Sequence, residues 1–341
     1  MILGITQGDA SGVGPEILLK AAAQGELRHQ YVVYGDLAVL QRCNTELGYG
    51  LLLRAATHSN DYRPEFVNVL DKRQLKAEDV TPGRLSAAAG AAARHYVICA
   101  AVAAMVGEID AMVTLPMNKE ATQLTDPTFT GHTELIAEVC GAQDVTIMLA
   151  SPQLIVTHVS THCSLREAIE RTRRPRIQRI LELTYAAVRR LKPSPRIAVA
   201  GLNPHAGENG LFGREEIEEI RPAVDWARAQ GMPVEGPFPP DTLFYLAVRR
   251  QKYDAIVCMY HDQGHIPSKL LDFEGGVNVA LGLPIIRTSV DHGTAFDIAW
   301  KGVASTTSLV AAFEFAARMA AGSPRDHQSS GPQSSGPQPS H

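Results

Sequence analysis

Short apolar runs of strand length alternate with amphipathic or alanine-rich segments of helix length along most of the chain. Gly, Pro, Asn or Asp residues close many of these runs, as expected where strands end. Strands that alternate with helices are typical of α/β proteins, so the pattern predicts an open α/β sheet. The predicted strands cover residues 1–5, 31–35, 51–53, 66–70, 110–115, 145–149, 154–161, 196–201, 253–259 and 283–286.

The helix signals lie between these strands. Residues 83–106 form a long alanine-rich segment broken by Arg94 and His95, which predicts a buried helix and disfavours a membrane span. Ser164 to Glu167 is a capping box, so a helix is predicted to begin there. Further helices are predicted from Pro15, over residues 134–140 and 214–231, and from Asp241.

The last twenty residues have a different composition. Residues 322–341 contain the sequence Ser-Ser-Gly-Pro-Gln twice and offer no core-forming side chains. Such a segment cannot offset its ordering entropy by apolar burial. We predict a disordered tail in which His327 and His341 have no catalytic role.

Composition and charge narrow the class of protein. Of the 341 residues, 45% are apolar and 20% charged, and the net charge is −4, so no overall basic field favours nucleic acid. The five cysteines include no CxxC pair, which argues against a disulfide framework or a thiolate zinc site and favours a reducing cytoplasm. The basic cluster at 171–174 fits either an anion site or a solvated helix end.

Two loops that follow predicted strands could receive anions. Residues 6–16 form a Gly-rich loop before a helix, although their spacing matches neither GxGxxG nor the P-loop, and a tight turn fits equally well. His132 and Thr133 lie at a second predicted helix start, where the alternative interpretation is a threonine helix cap. Lys119 follows the strand at 110–115 and could hold a phosphate or carboxylate, or lie free on the surface.

Three histidines each follow a predicted strand: His162, His205 and His261. Three imidazoles at the same end of one sheet are the arrangement that a divalent metal requires. Asp262 could orient a ligating imidazole. His265 could be a fourth ligand, a proton carrier or an ordinary loop residue, and His158 is expected to be a hydrogen-bonded interior histidine.

The segment after His261 adds candidate anion-binding groups. Lys269, Asn278 and Arg287 all fall within it. A cationic pair near a metal would suit a phosphate or a carboxylate. Unrelated salt bridges remain an alternative for each residue.

The chain resembles the 4-hydroxythreonine-4-phosphate dehydrogenase family over residues 1 to about 321. Residues 115–120, 159–164 and 264–267 are more similar to the branch that acts on 4-phospho-D-threonate or 4-phospho-D-erythronate. The segments that carry the resemblance are 6–16, 114–119, 129–134, 161–162, 201–208, 241–242, 260–269 and 276–304.

This resemblance implies a fold of two α/β/α domains with a cleft between them, similar to isocitrate and isopropylmalate dehydrogenases. The first domain would comprise residues 1–134 plus 280–321 and carry the cofactor side. The second, 135–279, would supply the metal ligands and the dimer contact. The implied assembly is a homodimer with a shared active site, in which one metal histidine comes from the partner chain.

The resemblance also assigns roles to particular residues. The implied metal is Zn, Mg, Co or Mn, and the run from His292 to Ala299 resembles an adenosine-binding loop, which would explain NAD binding without GxGxxG. Trp300 departs from a common glycine there and could crowd the cofactor. The implied metal ligands are His162, His205 and His261, the substrate-binding residues are His132, Thr133, Lys269, Asn278 and Arg287, and the cofactor residues are His292, Gly293, Thr294 and Asp297.

The implied reaction is a metal-dependent, NAD-linked oxidation of the C3 hydroxyl of a 4-phosphorylated C4 hydroxy acid, followed by decarboxylation to a three-carbon keto phosphate. Asp241, Lys119 and His265 are candidates for the general base. The alternatives are the vitamin B6 branch of the family, a non-redox metal-dependent sugar-phosphate lyase, and a non-catalytic binding module. We expect a cytoplasmic enzyme with no nucleic-acid or membrane partner.

Overall fold

The computed structural model describes residues 1–322, and its strands form one sheet of twelve strands. The tail beyond residue 322, for which disorder is predicted, lies outside the described residues. The strands are β1 (Leu3–Thr6), β2 (Tyr31–Gly35), β3 (Leu53–Ala55), β4 (Val67–Asp71), β5 (Ala111–Thr114), β6 (Thr146–Ala150), β7 (Ile155–His158), β8 (Ile197–Ala200), β9 (Val234–Phe238), β10 (Ala255–Cys258), β11 (Val277–Leu281) and β12 (Arg287–Val290).

The strand order is β3-β4-β2-β1-β5-β12-β11-β6-β7-β10-β8-β9. The six strands from β3 to β12 are mutually parallel, and so are the four from β7 to β9. Three antiparallel pairings join the two groups, namely β12 with β11, β11 with β6, and β6 with β7. An odd number of reversals means that the two parallel groups point in opposite directions.

Helices connect the strands and cover the sheet. Helix α7 has Pro175 as its second residue, a position in the first turn where its missing N–H costs nothing. The helices are α1 (Gly14–Ala23), α2 (Leu37–Leu47), α3 (Ala87–Met105), α4 (Lys119–Gln123), α5 (His132–Cys140), α6 (Leu165–Arg171), α7 (Arg174–Leu191), α8 (Arg221–Ala229), α9 (Pro240–Val248), α10 (His261–Leu271) and α11 (Thr307–Ala321).

The core lies on both sides of the sheet. Every residue of β1, β2, β5, β8, β10 and β12 is buried, as expected for strands covered on both faces. Helices α3 and α11 both pack against β1 and β5. Half of the most apolar window of α3 is buried, which supports the predicted core helix. The α/β class is confirmed, while the domain boundaries stay a prediction.

Several elements differ from the sequence prediction. Residues 261–271 form a helix although Gly264 and Pro267 disfavour one, and Pro267 lies inside it. Strand β12 begins at Arg287, after the run 283–286 that was expected to be the strand. Helix α7, strand β9 and strand β11 were not predicted. All five cysteines are free, in line with the expected absence of disulfides.

Candidate active site

The three candidate metal histidines follow three adjacent parallel strands. His162 lies four residues after β7, His261 opens α10 after β10, and His205 lies five residues after β8. These strands are neighbours in the order β7-β10-β8, so their carboxyl ends meet at one edge of the sheet. The predicted placement at one sheet edge is confirmed, and the role as metal ligands stays a prediction.

The imidazole of His261 is held by its neighbours. Asp262 Oδ1 lies 2.7 Å from its Nδ1, so the carboxylate can fix the tautomer that leaves Nε2 free. The ring of His265, one helical turn later, stacks on it with centroids 3.6 Å apart and an interplanar angle of 9°. The ring of His162 lies 5.7 Å away, centroid to centroid. The orienting role predicted for Asp262 agrees with this geometry.

His158 lies beneath this group and is completely buried. Within residues 1–322, neither of its ring nitrogens has a hydrogen-bond partner of normal geometry. His158 is therefore an interior histidine, as predicted, but it lacks the predicted hydrogen bond. Burial, followed by the proximity of His265 and His261, lowers its pKa to about 3. A Cβ at Gly264 would lie 2.4 Å from His158 Nε2, which explains why helix α10 carries a glycine there.

His205 occupies an unusual turn. Residues 205–209 all have positive φ angles, and four of the five are not glycine, so the segment is one left-handed turn. The carboxylate of Glu216, which is buried, accepts hydrogen bonds from the backbone N–H groups of Leu202 and Asn203, both at 2.7 Å. This anchoring positions His205 beside Phe212, with ring centroids 6.2 Å apart.

The three predicted metal histidines do not form one cluster in the part of the chain that the structure describes. Within residues 1–322, no group of three or more His, Cys, Asp or Glu side chains is close enough to hold a metal ion. His162 and His261 approach each other, whereas no ring contact joins His205 to either within that range.

Asp291 joins two of the predicted substrate-binding residues. Its Oδ2 accepts a hydrogen bond of 2.6 Å from Lys269 Nζ, and its Oδ1 accepts one of 2.6 Å from Asn278 Nδ2. Lys269 lies eight residues after His261 on α10, about 12 Å along the helix axis. Since the helix crosses the sheet, this cluster lies at the edge opposite the histidines.

Arg287 forms the second substrate-binding group. Its Nε and Nη2 both donate to the hydroxyl of Thr114, at 3.1 and 2.7 Å, and burial lowers its pKa to about 10. The register places Arg287, Thr114 and Asn278 on one face of the sheet. Burial, and then the positive charge of Arg287, lower the pKa of His132 to about 3, so His132 is neutral near pH 7.

The predicted cofactor loop contacts the Gly-rich loop at the N-terminus. The Thr294 carbonyl accepts a hydrogen bond from Val13, and a Cβ at Gly12 would lie 2.9 Å from Thr294. Thr294 is buried, whereas three of the predicted cofactor residues are exposed, namely His292, Gly293 and Asp297. Trp300 has a φ of +58°, a conformation that favours glycine.

Asp9 is a buried carboxyl in the same region. It is completely covered, and its Oδ1 accepts a hydrogen bond of 2.9 Å from the Ser11 backbone, while Oδ2 has no partner within the described part of the chain. Burial raises its pKa to about 6. Sequence analysis assigned no role to Asp9.

The three candidate general bases lie in different surroundings. Lys119 is exposed at the start of α4, and Asp241 is exposed in the first turn of α9. Five strands separate β5, which precedes Lys119, from β8, which α9 contacts. His265 is half-buried, its Nδ1 lies 3.0 Å from the His261 carbonyl, and burial lowers its pKa. The structure therefore does not bring these three together.

Comparison with known proteins identifies the family. The family model described as pyridoxal phosphate biosynthetic protein PdxA matches residues 27–316. The chain belongs to the PdxA family. The family predicted from the sequence is thereby confirmed.

Individual members of the PdxA family match over nearly the whole chain. D-threonate 4-phosphate dehydrogenase of Cupriavidus necator is 46% identical over 325 residues, covering 94% of this chain and 97% of the relative. The Salmonella typhimurium protein of the same name is 44% identical, covering 93% and 98%. A crystal structure of 4-hydroxythreonine-4-phosphate dehydrogenase from Klebsiella pneumoniae has a TM-score of 0.87 at 43% identity, covering 94% and 99%.

These relatives are dehydrogenases, which places the chain among the oxidoreductases. Sequence analysis missed Asp291, Thr114 and Asp9. Thr114 was detectable as a polar residue at the end of an apolar strand, and Asp291 as the acid that opens the His292 loop. Arg287, the partner of Thr114, lies 173 residues away, and the partners of Asp291 lie 22 and 13 residues away, so no local pattern could have paired them.

Proposed function

We propose that the chain catalyses the NAD-linked oxidation of the C3 hydroxyl of D-threonate 4-phosphate or a close 4-phosphorylated C4 acid, followed by decarboxylation. The observation that carries the proposal is the buried guanidinium of Arg287 near His132. Arg287 is buried, and within residues 1–322 its one side-chain hydrogen-bond partner is the Thr114 hydroxyl. A buried guanidinium with no paired carboxylate favours an anionic ligand.

The donor set fits a divalent metal. His261 has its Nδ1 held by Asp262, which leaves Nε2 available, and His162 faces it at 5.7 Å between ring centroids. Among the metals that the resemblance implies, imidazole nitrogens suit zinc. A metal held by His162, His205 and His261 would supply Lewis-acid activation of the substrate hydroxyl, and bound NAD would accept the hydride.

We further propose that two copies of the chain complete each site. The outer face of α10 exposes Ile266 and Leu270 by 63 and 84%, and Phe273, two residues beyond the helix end, is 72% exposed. Ile266 and Leu270 are four residues apart, so they form one apolar stripe on the helix. The same helix carries His261 at one end and Lys269 at the other, so a contact through this stripe could bring His261 toward the Lys269–Asp291 cluster of the partner.

The remaining side chains would orient the substrate. Neutral His132 can donate or accept one hydrogen bond without repelling the nearby Arg287. The Asp291 carboxylate fixes the directions of the Lys269 ammonium and the Asn278 amide. Lys119, Asp241 and His265 remain the candidates for the proton acceptor, and His292 to Asp297 for the dinucleotide contact.

The test is NADH formation at 340 nm with D-threonate 4-phosphate, alongside 4-hydroxythreonine 4-phosphate and with NADP in place of NAD. We expect turnover of the first substrate that disappears after chelation and returns with a divalent metal. Product formation without NADH would favour the lyase alternative. His205→Ala should bind less metal, and wild-type metal content and turnover in that variant would reject the three-histidine site.

A further inference from the structure

A cavity of about 580 Å³ lies beside the candidate site and has no role so far. Thr133 and His162 line one part of it. Three arginines line another, namely Arg171, Arg173 and Arg176, which belong to the end of α6 and the start of α7. The cavity therefore connects a predicted substrate contact with an arginine-rich wall.

Arg176 is the most confined of these three. Its Nε donates to the Val159 carbonyl at 3.1 Å, and its Nη1 donates to the exposed carboxylate of Asp144 at 3.4 Å. Burial lowers its pKa. Its Nη2 makes no hydrogen bond within residues 1–322. The guanidinium is therefore fixed in direction and retains free donors toward the cavity.

The other two arginines also keep unused N–H groups. Within residues 1–322, Arg171 donates to Glu167 through Nη2 alone, and Arg173 donates to the Glu219 carboxylate through Nη1 and to the Glu170 carbonyl through Nε. Neither of these carboxylates lines the cavity, whose lining includes a single acidic residue, Glu134. The lining therefore carries three guanidinium groups and one carboxylate, and each arginine is also ion-paired with a carboxylate outside the lining.

His162 also borders a second cavity. This space, of about 340 Å³, is lined by Tyr260, His261 and Asp262 as well as His162. His162 thus stands between the arginine-lined cavity and the histidine group. A ligand with two chemically different ends could place one end on each side of it.

We propose that Arg171, Arg173 and Arg176 hold a phosphoryl group in the larger cavity, with the reacting end of the ligand beside His162. Guanidinium groups suit this ligand because their paired N–H groups match the oxygens of a phosphate. Naming the ligand as the phosphorylated hydroxy acid rests on the proposed function. A dinucleotide could supply the same phosphoryl chemistry, so the experiment separates the two sources.

The experiment compares Arg176→Gln and Arg173→Gln with the wild-type protein by isothermal titration calorimetry. The probes are inorganic phosphate, D-threonate 4-phosphate, D-threonate and NAD. Arg179→Gln is the matched control, since Arg179 lies one turn later on α7, also contacts Asp144, and does not line the cavity. Arg173 is largely exposed, so its substitution should leave the fold intact even if Arg176→Gln does not.

We expect each test variant to weaken binding of phosphate and of D-threonate 4-phosphate by about 10- to 100-fold, the loss typical of a charge-assisted hydrogen bond. D-threonate and NAD should bind unchanged, and so should all probes in Arg179→Gln. A selective loss of NAD would keep the phosphate site and assign it to the dinucleotide. Wild-type phosphate binding in both test variants, or an equal loss in Arg179→Gln, would overturn the proposal.

Failure of the proposed function gives a different result. If the wild type binds phosphate in an Arg176-dependent manner but oxidises none of the phosphorylated acids, the phosphate site stands and the reaction does not. If oxidation occurs while both test variants retain wild-type phosphate affinity, the reaction stands and the site is wrong.

Discussion

The ring of His265 lies parallel to the ring of His261, with centroids 3.6 Å apart and planes inclined by 9°. Groups that orient a ligating imidazole typically change metal affinity by about 10- to 100-fold when removed. We therefore expect His265→Ala to weaken Co²⁺ or Zn²⁺ binding by about 10-fold in calorimetry. His265→Phe, which keeps a ring in the stack, should retain more affinity, and equal affinities in all three proteins would contradict an orienting role.

Asp291 should control the predicted substrate-binding residues Lys269 and Asn278. Asp291→Ala removes the acceptor that both side chains share, so their donors lose a fixed direction. We expect kcat/KM for the phosphorylated substrate to fall by about 10- to 100-fold, equivalent to about 1.4–2.8 kcal/mol. Asp225→Ala on the exposed face of α8 is the control, and a similar fall there would show that the effect is not local.

Thr114 should stabilise the fold through Arg287. Thr114→Val leaves the buried guanidinium without its hydroxyl acceptor, and an unsatisfied charged donor costs about 2–3 kcal/mol. Urea denaturation should show this loss in the free energy of unfolding. Thr114→Ser keeps the oxygen, so it should recover most of the stability; if valine and serine were equivalent, the hydrogen bonds would not matter.

Asp9 should make stability depend on pH. Its pKa is about 6 in the folded chain against an ordinary value of 3.8, so the folded state binds the proton more tightly. The stabilisation that follows from this shift is complete below pH 3.8 and is lost as the pH rises through 6, which changes the free energy of unfolding by about 3 kcal/mol. Asp9→Asn should therefore be more stable than the wild type at pH 8 and gain nothing at pH 4.

The control for that measurement is Asp126→Asn. A hydrogen bond from the Thr128 hydroxyl, together with Arg94, lowers the pKa of Asp126. Its stabilisation is present above the ordinary pKa and is lost on acidification, so the pH dependence has the opposite sign. Parallel pH profiles for the two variants would show that burial of Asp9 does not govern the transition.

Much of the architecture could be predicted because local patterns determine it. The apolar runs before His162 and His261 located β7 and β10, and the rule that sites lie at strand ends placed both histidines correctly. Helix α10 was missed because Gly264 and Pro267 are poor helix formers, and only tertiary contacts such as the approach to His158 explain the glycine.

Contacts between distant segments could not be predicted. The hydrogen bonds of Arg287 to Thr114 span 173 residues, and the ion pair of Lys269 with Asp291 joins a helix end to a loop beyond two further strands. The opposite directions of the two strand groups depend on β11, which pairs antiparallel with both β12 and β6. Sequence analysis did not predict this strand. For this reason, the separation of the Lys269 cluster from the histidines was also unforeseen.

The pairing of β12 with β5 has a consequence for synthesis on the ribosome. Strand β5 ends at residue 114, but its neighbour in the finished sheet begins at residue 287. During translation, the edge of β5 in the five-stranded segment stays exposed while more than half of the chain is made. Exposed strand edges favour pairing with other chains. Until β12 emerges, the nascent N-terminal segment should therefore depend on infrequent encounters with other chains, or on a chaperone that covers the exposed edge.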